Sequence, residues 1–238
     1  MGHLRIKIMF CKEDEAPEGT RASREERNMI NLYLIRHGRQ NSTLCNVDVE
    51  LSDIGRTQAE LLRDRLMNYP IDAVYSSQLI RAKQTAEIIN QAKKLPIVIR
   101  EELQEISFGL LTGMTEQYIN EHYREFKDEQ YKLLEDIPYP GGENGTSVYE
   151  RAMPVIQEIL QSGKQNIAIV THGGVIRVLL AALFGKNQAK RFLFGVSLEN
   201  TGITQLIYNP KVDRFYLERF NDQAHLENHP ELLRTYHS

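Results

Sequence analysis

Two short stretches of this chain could do chemistry on an anion. In Tyr33-Leu34-Ile35-Arg36-His37-Gly38 an apolar run ends in a cation, an imidazole and a glycine. In Ala168-Ile169-Val170-Thr171-His172-Gly173-Gly174 a second apolar run ends in His-Gly-Gly. Imidazole is well populated in its neutral form near pH 7, so it can serve as a nucleophile. A third stretch, Ser76-Ser77-Gln78-Leu79-Ile80-Arg81, puts an arginine where a helix reads as beginning, although the helix dipole favours acids there. A bound phosphate would remove that mismatch, and the guanidinium fork suits its oxygens. Each feature alone also fits a solvated surface. Together, Arg36, His37, Arg81 and His172 describe a pocket for a phosphate dianion. The glycine after each histidine is expected to let the backbone turn sharply and to leave room for a ligand. Gly173-Gly174 opens a helix whose first amides favour an anion.

These residues need a scaffold that brings distant segments together. MINLYLI, IDAVYSS, LPIVIRE and QNIAIVT read as buried strands alternating with helices. Ser52 is the expected N-cap of a helix to about residue 68, and Leu79, Ala82, Ala86 and Ile89 share one helical face. GITQLIYN and RFYLERF, joined by NPKVD, read as a closing hairpin. The pattern predicts an α/β domain: a three-layer α/β/α sandwich with a mainly parallel central sheet and a helical cap excursion at about 110–146. In such sheets ligands gather beyond the carboxyl ends of the strands, where both histidines fall. Residues 1–28 read as a flexible or atypical N-terminal extension, and 29–238 as the domain. Ser147-Val148-Tyr149-Glu150 reads as a capping box, with Pro154 implying a kink or a later helix start.

The set Arg36-His37-Gly38, SSQLIRAKQTA, LQEISFG and THGG resembles the histidine phosphatase superfamily, in its phosphoglycerate-mutase-like branch. The likeness runs from Met29 onward, with the motifs in family order. It implies a phosphatase-type enzyme that hydrolyses phosphomonoesters through a phosphohistidine on His37, whose other ring nitrogen is held by the Gly38 carbonyl. Arg36, Arg81 and His172 would bind the phosphoryl oxygens, and Glu105 would act as general acid and base. An acid-phosphatase branch supplies the proton from an Asp after the second histidine, but Gly173 stands there. A cofactor-dependent phosphoglycerate mutase is the first alternative, disfavoured by ISFG in place of R-H-Y-G and by the lack of tryptophan. A non-catalytic phospho-ligand-binding protein is the second.

The chain departs from the family's R-H-G-E-[ST]-x-x-N run at Arg39, Gln40 and Thr43. Gln40 could donate an amide to phosphate, and Asn41 or Asn46 could replace the missing asparagine. Arg39 would add charge at the mouth or pair with Glu143. Tyrosines and Phe126 in 118–134 are expected on a cap that packs on the core and selects the leaving group.

Composition narrows the partners. With 238 residues, a formal charge of −3 and no basic stripe, nucleic acid is excluded. No apolar stretch is long enough to span a membrane. Cys11 and Cys45 form no disulfide framework, which fits a cytoplasmic protein. His122, His225, His229 and His237 lack metal-ligand spacing and read as solvated, so no metal and no cofactor are expected. The expected partner is a small-molecule phosphomonoester, and a homodimer stays open.

Overall fold

The computed structural model describes residues 29–234; the expected extension 1–28 lies outside them. Chain order is β1 (Ile30–Arg36), α1 (Asp53–Leu66), β2 (Ala73–Ser77), α2 (Ile80–Asn90), β3 (Ile97–Arg100), α3 (Glu116–His122) and α4 (Arg124–Tyr131). It continues through α5 (Gly145–Gln161), β4 (Asn166–Thr171), α6 (Gly173–Leu183), β5 (Ile203–Asn209) and β6 (Arg214–Asp222). Six strands form one sheet in the order β3-β2-β4-β1-β5-β6. The first four run parallel, while β5 and β6 close the edge as the antiparallel hairpin the sequence predicts.

The layers follow from the two-residue period of the strands. On β1, Leu32 and Leu34 face one way and pack with Val148, Ile156, Val175 and Leu179 of α5 and α6. Tyr33 and Ile35 face the other way, against Leu62 of α1 and Ala82, Ala86 and Ile89 of α2. Each face is dry, so the buried parallel strands carry near-continuous apolar runs. This is the expected three-layer α/β/α sandwich.

Two helix ends differ from expectation. α1 begins as predicted, with Ser52 Oγ accepting from the Gly55 amide at 3.1 Å. α5 begins earlier than predicted, with Asn144 as its cap: Asn144 Oδ1 accepts from the Ser147 amide at 2.9 Å. The Asp136 carboxylate, remote in sequence, takes the Gly145 and Thr146 amides at 2.9 and 2.7 Å. That extra acceptor lets the helix start before the supposed capping box. Pro154 lies inside the helix on its exposed side, where water can reach the carbonyl it leaves unbonded. The excursion between β3 and α5 holds two short helices, α3 and α4, neither with a buried residue. It packs on the core through rings rather than through a buried helix face: Phe126 of α4 meets Tyr139 at 5.4 Å between centroids, and Tyr139 packs against the core cluster. Among the described residues no helix is long and apolar enough to cross a membrane.

Candidate active site

The parallel pairing of β1 and β4 builds the site. Arg36 lies opposite Thr171 in register, so His37 and His172 are the next residues on adjacent strands. The His37 amide donates to Thr171 O at 3.0 Å, and the two imidazole centroids stand 5.0 Å apart. Neighbouring strands are about 4.8 Å apart, so sheet geometry alone brings the rings together.

His37 is buried, and its backbone amide and carbonyl and both ring nitrogens have partners. Its Nδ1 lies 2.6 Å from Gly38 O, and its Nε2 lies 3.2 Å from Arg81 Nε. A carbonyl can only accept and a guanidinium can only donate. His37 is therefore the neutral tautomer with the proton on Nδ1 and the lone pair on Nε2. Around it, Asn200 Nδ2 donates to His37 O at 2.8 Å, and Thr85 Oγ1 accepts from the Gly38 amide at 3.0 Å. Gly38 is needed for close packing, not for a turn: a Cβ there would come within 2.6 Å of Gly55 O.

Arg81 sits in the first turn of α2 and is buried. Its Nη1 and Nη2 donate to Val47 O and Asn46 Oδ1 at 3.0 and 3.1 Å. The acid missing from that helix start comes from afar, since Asp48 Oδ1 accepts from the Ile80 amide at 2.8 Å. The dipole mismatch is thus met partly by Asp48, and need not be met by phosphate alone. Arg36 Nη1 donates to Leu198 O, while its buried Nε has no partner. Burial, then Arg234, lowers the Arg36 pKa to about 9, which leaves it cationic at pH 7.

His172 is fully buried beneath His37. Its Nε2 lies 2.9 Å from Ser77 Oγ, and its Nδ1 has no partner. Glu105 approaches from the loop after β3. Its Oε1 accepts from the Ile106 amide at 2.9 Å and its Oε2 from the Gly174 amide at 3.3 Å. The anion at the start of α6 is therefore Glu105 itself, where the sequence suggested a ligand. The same loop is clamped by Arg151, which donates to Glu105 O and Glu102 O and pairs with Glu143 at 2.8 Å. Glu143 also accepts from the Ser107 amide at 2.8 Å.

Arg36, His37, Arg81 and Glu105 share a cavity of about 360 Å³ with Asn46, Thr43, Gln40, Phe108, Asn200 and Arg234. In the altered loop one of the two expectations holds at each of two places: Arg39 lines the cavity and adds positive charge there, and of Asn41 and Asn46 it is Asn46 that lines it. Gln40 lines the cavity, but its amide donates to Ser42 O and Leu44 O and so shapes its own loop. Asn41 is exposed and does not line the cavity; Asn46, held by Arg81 and donating to Ile106 O at 3.2 Å, does. Arg39 donates to Leu232 O and Leu233 O and is not paired with Glu143, which Arg151 occupies. His225 is not a solvated tail histidine: its Nε2 lies 2.9 Å from Thr201 Oγ1. Thr85 was legible in hindsight, one helical turn after Arg81. Asn200, Asp48 and Arg234 carry no local signal. Among the described residues no three of His, Cys, Asp and Glu stand close enough to hold a metal ion.

Two expected results follow from this geometry. A methyl at Gly174 would overlap Glu105 Oε1. Gly174→Ala should push the carboxylate off its seat and lower kcat on alkyl phosphates by about 10²-fold, with the melting temperature little changed; steady-state kinetics beside a thermal melt checks this. The second concerns pH. Burial, then His172, Arg81 and Arg36, hold His37 well below the usual imidazole range. Burial, then Arg81 and Arg36, do the same to His172, and burial first of all takes His225 to about 4. Unfolded imidazoles bind protons near pH 6.5, so their contribution is complete above that pH and declines as pH falls toward the folded values. The unfolding free energy from urea titrations should fall as pH drops below about 6.5 toward 5, by up to about 1.4 kcal/mol per pH unit for each histidine. A flat profile would contradict the neutral assignments.

Known proteins share this chain's sequence pattern and fold. Residues 32–223 match the family described as "Histidine phosphatase superfamily (branch 1)". The chain is 32% identical over 180 residues to phosphoserine phosphatase 1 of Hydrogenobacter thermophilus, covering 70% of this chain and 82% of that one. It is 34% identical over 174 residues to phosphoglycerate mutase-like protein 4 of Arabidopsis thaliana, covering 68% and 74%. Its fold superposes on a mycobacterial glucosyl-3-phosphoglycerate phosphatase with a TM-score of 0.74 at 26% identity, covering 82% of this chain and all of the other.

Proposed function

From the premise that the chain belongs to branch 1 of the histidine phosphatase superfamily, we propose that it is a metal-independent phosphomonoester hydrolase working through a phosphohistidine on His37. The observation that carries the reading is the tautomer of His37. Its Nδ1 proton is fixed on Gly38 O, and its Nε2 lone pair faces a cavity wall of guanidinium.

The steps balance as follows. The Nε2 lone pair forms a bond to phosphorus while the bond to the ester oxygen breaks, and Glu105 gives its proton to the departing oxygen. Water then attacks the phosphohistidine, Glu105 takes the water proton, and the N–P bond breaks to release phosphate and neutral His37. Arg36 and Arg81 stabilise the negative charge spread over the phosphoryl oxygens, in place of a metal ion. His172 is fully buried and is not among the residues lining the cavity; it backs the His37 ring, with 5.0 Å between centroids. Asn46 Oδ1 and the Val47 carbonyl hold Arg81, and Arg151 with Glu143 holds the Glu105 loop.

Hydrolysis is favoured over mutase chemistry by the ISFG segment after Glu105. A reducing, cytoplasmic setting belongs to the same reading. The test is a panel of phosphate monoesters with a chelator present. Release of inorganic phosphate undiminished by chelation is expected; isomerisation of phosphoglycerate without phosphate release would favour the mutase, and loss of activity on chelation would remove the metal-free step.

A further inference from the structure

The cavity over His37 does not end at Glu105. A second compartment of about 170 Å³ adjoins it and shares Arg36, Glu105, Phe108 and Arg234 with it. Two more guanidiniums line this compartment: Arg177 from α6 and Arg191 from the short 3-10 turn Gln188–Leu193. Glu105 is the one carboxylate lining it among the described residues. Arg191 is 3% exposed, and its Nη1 is spent on Asp136 at 2.7 Å and Gln188 O at 2.8 Å. Its Nη2 is buried and has no partner. Arg177 is held by the carbonyls of Phe194, Gly195 and Val196, with no carboxylate in ion-pair range among the described residues. The Phe192 ring lies beneath both, 4.4 Å from the Arg191 guanidinium and 6.0 Å from that of Arg177.

Confined positive charge of this kind costs free energy until an anion enters. A single phosphoryl group at His37 accounts for Arg36 and Arg81 but not for Arg177 or the orphaned nitrogen of Arg191. We infer that the substrate's leaving group carries a second anionic group, a carboxylate or a phosphate, which enters this compartment and is bound by Arg177 and Arg191 Nη2. The space equals about five or six water volumes, enough for such a group on a short carbon chain. Arg191 doubles as a structural residue, since its partner Asp136 caps α5; Arg177 caps no helix but braces the Phe194–Val196 carbonyls, so its variant is tested beside a thermal melt.

The inference rests on the phosphatase reading only for where the first phosphate sits, so binding and turnover are measured separately. The probes are phosphate monoesters of ω-hydroxy acids with two to five carbons, the matching diol monophosphates and the matching diol bisphosphates. Calorimetric binding to His37→Ala and hydrolysis by the wild type are both recorded. At one chain length or more, the carboxylate or second phosphate should tighten binding by about tenfold over the neutral alcohol, as a charge-assisted contact does. Arg177→Gln should reduce that preference to within about twofold, seen in the ratio of affinities and in KM more than kcat. The carboxylate and bisphosphate arms distinguish the two anions. No preference at any length, or a preference unchanged in Arg177→Gln, overturns the subsite. Preference without any phosphate release would uphold the subsite and overturn the hydrolase reading instead.

Discussion

His37→Ala should lower phosphate release by on the order of 10⁴-fold or more, because it removes the atom that bonds to phosphorus. The rest of the site should survive. The His37 carbonyl still accepts from Asn200, the Gly38 amide still donates to Thr85, and Arg36 and Arg81 remain anchored on Leu198 O, Val47 O and Asn46. The loss should therefore fall on kcat, with phosphate still binding as a competitive ligand. Kinetics with a circular-dichroism check of the fold measures both. Activity within about tenfold of wild type would mean that another group attacks phosphorus or that water does so directly.

Glu105→Gln should separate the two chemical steps. Glutamine keeps the shape and one acceptor oxygen, so one of the Ile106 and Gly174 amides loses its acceptor, and it cannot carry the proton. Alkyl phosphates, whose leaving oxygen needs that proton, should lose about 10²- to 10⁴-fold in kcat. A nitrophenyl phosphate leaves without protonation, so its first step should persist while hydrolysis of the phosphohistidine slows. The expected signature is a burst of nitrophenol equal to the enzyme concentration, followed by slow turnover. Equal losses on both substrates with no burst would reduce Glu105 to a structural anion at the start of α6.

Much of this site could be read from the chain because the information was local. A parallel strand buried on both faces must be apolar throughout, so Leu32–Ile35 and Ile167–Val170 announce themselves, and the residues that follow must emerge at one edge of the sheet. The register that sets Arg36 opposite Thr171 then places the imidazoles side by side. What stayed hidden is long-range hydrogen bonding. Asp48 reaches the first amide of α2, Asp136 the first amides of α5, and Glu105 that of α6. In each case an acid remote in sequence supplies what local capping rules seek nearby. The same holds for Glu143, which Arg151 pairs, and for Arg39, which lines the cavity mouth, the other of its two expected places, while donating to carbonyls near the end of the described chain. The cap was legible as a helical cover, but aromatic residues at mixed spacing did not show that its contact with the core runs through Phe126 and Tyr139 and not through a buried helix face.

The most direct test of the account is capture of the phosphoenzyme. The protein is mixed with a phosphate monoester labelled in the phosphoryl group, quenched within the first turnover and digested. Label on the peptide containing His37, stable in base and lost in acid, is the predicted result. Rapid turnover with no label on the protein, or label on a peptide that lacks His37, would contradict it.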